Sequence, residues 1–176
     1  MTKKTTNKTK SRVCTFWLII ALIIANGMVC PNVSHAKSYR TYGTPSSSSF
    51  KSYMSYRAIT DKSSKQYKLQ KKAKTNSKGI RTVNGRYCIA MGSYYATKIG
   101  TKIDLVMKNG KVIKCILADQ KADKDTDSTH RYTSDGSIVE FIVDTGRLPR
   151  MVKLMGDVSY AYKSMKGNIK AVRVYK

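Results

Sequence analysis

Apolar residues between positions 83 and 175 fall into short runs that alternate with polar ones, the period-two signature of half-buried strands. Residues 86–92 (RYCIAMG) predict one strand, and residues 102–107 and 111–118 predict two more. The last two are joined through Asn109-Gly110, a strong local hairpin signal because a type I′ turn needs positive φ at both central positions. Residues 137–143 (SIVEFIV) predict a further strand, with Ile138, Glu140 and Ile142 on one face and Val139, Phe141 and Val143 on the other. Residues 168–175 (NIKAVRVY) predict a closing strand. Helical signals are few. Residues 58–74 suggest a short helical turn capped by Asp61 or Ser63, and residues 148–155 one short helix with Pro149 in its first turn. The core therefore starts near Val83, and the pattern predicts a mainly β domain, a small barrel with one or two short helices.

The chain ahead of this core is different. Residues 37–57 are rich in Ser, Tyr and Lys with almost no aliphatic side chains, which predicts a disordered linker between residues 1–36 and a domain at 58–176. Residues 1–36 have the layout of a secretory signal peptide: a basic stretch from Lys3 to Arg12, an apolar run at 13–29, and Ser34 and Ala36 at the −3 and −1 positions of a cleavage site. An uncleaved anchor is the rival reading. The expected location is extracellular and wall-associated, or membrane-anchored if the segment is kept.

Charge sharpens that address. The chain has 34 Lys and Arg against 10 Asp and Glu, a net +24. Residues 1–36 hold five of the basic residues and none of the acidic ones, so residues 37–176 keep +19. A cation of this strength associates with polyanions. Export and the lack of a helix-turn-helix, zinc-finger or RNP-type motif argue against nucleic acid. Anionic wall polymers or lipid headgroups fit better. Cys88 and Cys115 remain outside the export segment, which contains Cys14 and Cys30; a bridge between neighbouring strands and a pair of buried thiols are both open. Asp123, Asp125 and Asp127 open like a calcium loop, but Ser128 and Ser134 stand where an EF-hand needs Gly and Glu. His130 has no second histidine outside the export segment for a zinc site. No metal or cofactor is expected.

Candidate chemistry lies at strand ends. The stretch GTKIDLVMKNGKVIKCILAD at 100–119 places Asp119 where a hairpin strand stops, and the later strand carries Glu140 with Asp144 beyond it. This stretch resembles double-psi β-barrel domains of the rare lipoprotein A type and the three-aspartate domain of membrane-bound lytic transglycosylase A. In those families, too, Gly-Thr opens a strand, a hairpin follows, the next strand ends on an aspartate, and a later strand brings a second acid. The resemblance covers roughly residues 83–145. It implies a six-stranded barrel with a groove for peptidoglycan glycan strands and, in some members, lytic transglycosylase activity. By position Asp119 matches the first acid and Glu140 falls near the second. Gln120-Lys121 replaces the usual Thr-Gly or Arg-Gly, and Tyr94-Tyr95 stands where a histidine is expected. A general acid is required to protonate the leaving oxygen, and the substrate's own hydroxyl then attacks. Asp119 is expected in that role, with Glu140 and Asp144 in support. The alternative is a non-catalytic module binding peptidoglycan or anionic polymer, and a monomer is expected in either case.

Overall fold

The structure, a computed structural model, describes residues 38–44, 48–133 and 135–176. The signal-peptide reading of residues 1–36 lies outside these residues, as do the cysteines within it. No helix among the described residues is long and apolar enough to cross a membrane.

The fold is mainly β. One mixed sheet of nine strands contains β1 (Tyr39–Gly43), β2 (Ser52–Ser55), β3 (Lys74–Thr75), β4 (Arg81–Val83), β5 (Arg86–Met91), β6 (Lys102–Met107), β7 (Val112–Gln120), β8 (Glu140–Val143) and β9 (Ile169–Tyr175). Two short helices accompany it, α1 (Lys65–Lys72) and α2 (Arg150–Met155). Pairing runs β1-β9-β6-β7-β5-β4-β3, and β8 joins the other edge of β5 while also pairing with β2. The β5–β7 and β2–β8 pairs are parallel and the others antiparallel. Strand pairing does not close this sheet among the described residues.

The stretch expected to be a linker is a correction. Residues 39–43 pair with β9 along its full register, and residues 52–55 pair with β8. Few aliphatic side chains are needed for this, since an edge strand is held by its ladder hydrogen bonds: β1 stays exposed at all but Tyr42, and in β2 only Ser52 is buried. Lys51 is completely buried there, its Nζ donating to Ser49 O at 2.7 Å and Gly167 O at 2.8 Å, with Ser159 Oγ at 3.4 Å.

The turns depart from expectation too. Asn84-Gly85 joins β4 to β5 with both residues at positive φ, 49° and 72°, the type I′ signature. At Asn109-Gly110 only Gly110 is positive, at 81°. Met107 N donates to Lys111 O and Gly110 N to Met107 O, so this hairpin has a longer loop ending on a left-handed glycine. The helix α1 is capped by Ser64, whose Oγ accepts from Tyr67 N at 3.0 Å; Asp61 instead accepts from Ser63 N in the preceding turn. Pro149 stands just before α2, and Gly156 ends it at φ 64°.

Two clusters of buried residues lie on opposite faces of the sheet. The larger takes Ile89, Met91, Leu105, Cys115, Leu117, Phe141 and Val172, among others. The smaller, Val83, Cys88, Ile116, Ala118 and Ile142, is covered by Leu69 and Ala73 at α1 and by Tyr56 and Ile59. Cys88 and Cys115 are buried free thiols on these opposite faces, which answers the question left open by their spacing.

Candidate functional site

Asp119 reaches its position through an irregularity. Ile89 pairs with Leu117, but the next residue, Ala90, pairs with Asp119, so Ala118 is an extra residue in β7. A one-residue bulge reverses the side-chain alternation beyond it. Without it Asp119 would share the face of Leu117, inside the larger core. With it, Asp119 joins the α1 face and receives a hydrogen bond from Gln66 of that helix, while Gln120 N donates to Oδ1 at 2.9 Å. Burial pushes its carboxyl above the ordinary value of 3.8, and these bonds and the Lys121 charge oppose the shift.

Glu140 occupies the other flank of the same residue: Ala90 pairs with Asp119 on one side and with Glu140 on the other. Paired residues point to one face, so both carboxylates rise on the α1 side, two strand spacings or about 10 Å apart at the backbone. Glu140 is 8% exposed and forms an ion pair with Lys121, Nζ to Oε2 at 2.7 Å. The angle of that contact lies outside hydrogen-bond geometry, and Oε2 has no other partner among the described residues. Lys121 thus stands close to both acids.

Asp144 does not join them. It follows β8 four residues after Glu140, about 13 Å along an extended chain. Its Oδ1 accepts from Gly146 N at 3.2 Å and its backbone N donates to Gly79 O, a capping role. Tyr94 and Tyr95, where a histidine was expected, pack edge-on against each other and against Tyr42, with Arg131 4.1 Å above the Tyr94 ring.

The aspartate loop is internally satisfied. Asp127 Oδ1 accepts from Arg131 N and Tyr132 N, and Oδ2 from Thr129 N and Oγ1. Asp123 accepts from Ser93 Oγ. No cluster of three or more His, Cys, Asp or Glu among the described residues is placed to hold a metal.

A cavity of about 560 Å³ lies elsewhere, between the turn at Tyr56–Ala58, α1 and β4. Its lining includes Tyr56, Arg57, Lys62, Tyr67, Lys71 and Arg81 and none of the three expected acids. The helical signals at residues 58–74 did not point to it. The available signal was the interleaving of aromatic and basic residues from Tyr56 to Lys71. No family model matches the chain, nor does any curated protein or solved structure.

Proposed function

We propose that this is an exported, monomeric wall-glycan protein whose glycan site is centred on Asp119 and Glu140. The observation that carries the proposal is the placement of these acids on either side of Ala90, with burial raising the Asp119 carboxyl from its ordinary value. A six-stranded double-psi barrel is part of the same reading. Six strands form the continuous path β2-β8-β5-β7-β6-β9. Its two ends approach each other, with Ile169 N donating to Ser48 O at 3.1 Å and Ser48 Oγ to Ile169 O at 2.7 Å. The larger apolar cluster draws on strands along that path.

In the enzymatic form of this function Asp119 is the general acid. It delivers its proton to the glycosidic oxygen as the bond breaks, then recovers one from the sugar hydroxyl that attacks the anomeric carbon. An anhydro-sugar end results and no water is consumed. Glu140 does not need to transfer a proton: its ion pair with Lys121 fixes a negative charge across β5 from Asp119. A second reading, non-catalytic binding of peptidoglycan or anionic polymer, is favoured by that same pair, since Lys121 occupies the second carboxylate.

The two separate in one experiment: mass spectrometry of soluble products after the protein digests peptidoglycan, run beside Asp119→Asn. Anhydro-sugar fragments from the native protein only would support the enzyme. A native protein that pellets with the wall and releases nothing would leave the binding module. Neither release nor retention would sink the wall-glycan reading.

A further inference from the structure

The cavity beside α1 has the chemistry of an anion site that Asp119 and Glu140 do not share. We propose that it binds the phosphate ester of a sugar or polyol. Four cations line it, Arg57, Lys62, Lys71 and Arg81, and no carboxylate does. Of the nearby acids, Asp61 accepts from Ser63 N and Oγ at 2.9 and 2.7 Å, and Asp144 caps its own turn while its charge also favours the Arg57 cation. Like charges gathered around one cavity repel, and a bound anion removes that cost. At about 560 Å³ the space falls within the ordinary range for small-molecule sites, roughly 300–1,000 Å³.

Arg81 is the pre-positioned element. Its Nε donates to Gln70 Oε1 at 3.2 Å, its Nη2 to Gln70 O at 2.7 Å and its Nη1 to Thr75 Oγ1 at 2.9 Å. The guanidinium carbon stands 4.6 Å from the centre of the Tyr56 ring. These contacts hold the plane of the fork and leave one N–H on each terminal nitrogen without a partner among the described residues. A fixed planar fork with two free donors suits a phosphate, which accepts bidentate hydrogen bonds. Gln70, 5% exposed, also lines the cavity; its Nε2 has no oxygen partner, only the weakly accepting sulfur of Cys88.

The rest of the wall explains why the ligand is an ester rather than a bare ion. Tyr56, Tyr67 and Ile59 supply apolar surface beside the cations. An inorganic phosphate would leave this surface wet, whereas a sugar ring or polyol chain attached to the phosphate covers it. The site and the proposed glycan site meet on one helix: α1 gives Gln66 to Asp119 and, four residues later on the same side, Gln70 to Arg81.

The test is calorimetric titration of the full chain with glucose 1-phosphate, with glucose and inorganic phosphate as comparators. One saturable site is expected, about tenfold tighter for the ester than for either comparator. Lys71→Gln should weaken it by about tenfold, and added salt should weaken it further. Arg81→Gln should weaken it more, but Arg81 also braces Gln70 and Tyr56, so Lys71→Gln, at an exposed position, is the variant that decides. Lys153→Gln, an equal loss of charge on α2, should change nothing. Equal affinity for inorganic phosphate and the ester, or an unchanged constant in Lys71→Gln, overturns the proposal. Failure to bind the ester, with Arg81-dependent binding to phosphatidylglycerol vesicles, also overturns it and reassigns the cavity to a lipid headgroup.

Discussion

Lys51 gives a stability prediction whose sign runs against the usual one for a lysine. Its ammonium is fully buried with no carboxylate in hydrogen-bond contact, and burial pulls its pKa from 10.5 down to about 8, partly opposed by Asp157. The folded protein therefore releases this proton at about pH 8, while the unfolded chain keeps it until about 10.5. Between those values the unfolded state binds more protons, so this group makes the fold more stable as pH rises. The full gap corresponds to roughly 3 kcal/mol at 1.36 kcal/mol per pKa unit, and partial solvent screening brings the expected gain to about 2 kcal/mol.

The perturbation is Lys51→Met, which keeps the length and apolar stem and removes the titration. Urea unfolding of both proteins at about pH 7.5 and about pH 10 yields two differences in unfolding free energy. Other tyrosines, cysteines and lysines titrate in both proteins and cancel between them. The native chain should gain about 2 kcal/mol relative to Lys51→Met between the two conditions. A difference that stays flat or moves towards the variant would refute the reasoning, because Lys51 would then be charged and adequately paired in the fold.

Other consequences follow from particular contacts. A Cβ on Gly92 would lie 2.0 Å from the backbone oxygen of His130, a clash that no rotamer relieves. Gly92→Ala should therefore cost about 2–3 kcal/mol and lower Tm by several degrees in a calorimetric scan; an unchanged Tm would mean the 126–133 loop does not rest on β5. Cys88 and Cys115, on opposite faces with thiols pushed up by burial (Cys88 to about 11), should resist Ellman's reagent in the native protein and react fully in guanidinium, and a reductant should leave Tm unchanged. For Asp119 the sign is opposite to that for Lys51. Its raised carboxyl makes the folded state bind the proton more readily, so stability falls as pH rises through its folded value. Asp119→Asn should accordingly be more stable than the native protein at neutral pH while losing any glycan turnover, and a lower urea midpoint would show the carboxylate to be a stabilising element.

Local pattern carried much of the β framework. Strands β5, β6, β7, β8 and β9 and the helix α2 lie close to where alternation and helix signals predict them, because each buries side chains by a rule that depends only on near neighbours in the chain. Turn chemistry was less transferable. The same dipeptide, Asn-Gly, forms a type I′ turn at 84–85 and a longer loop at 109–110, and the difference is set by how the flanking strands meet.

Tertiary structure decided the rest. The strands at 39–43 and 52–55 exist because β9 and β8 offer ladder partners, which no count of their own aliphatic residues could reveal. The bulge at Ala118 belongs to the β5–β7 pairing and not to the residues of β7 alone, yet it alone turns Asp119 out of the core and towards Gln66. The sequence contained the acids, the apolar run at 13–29 and the excess of positive charge from the outset. That Asp119 and Glu140 flank one alanine, that Lys121 pairs with Glu140 while Asp144 stays apart, and that Tyr56, Lys71 and Arg81 line one cavity are facts of tertiary packing. Such contacts join residues far apart in the chain, and chain spacing holds no record of them.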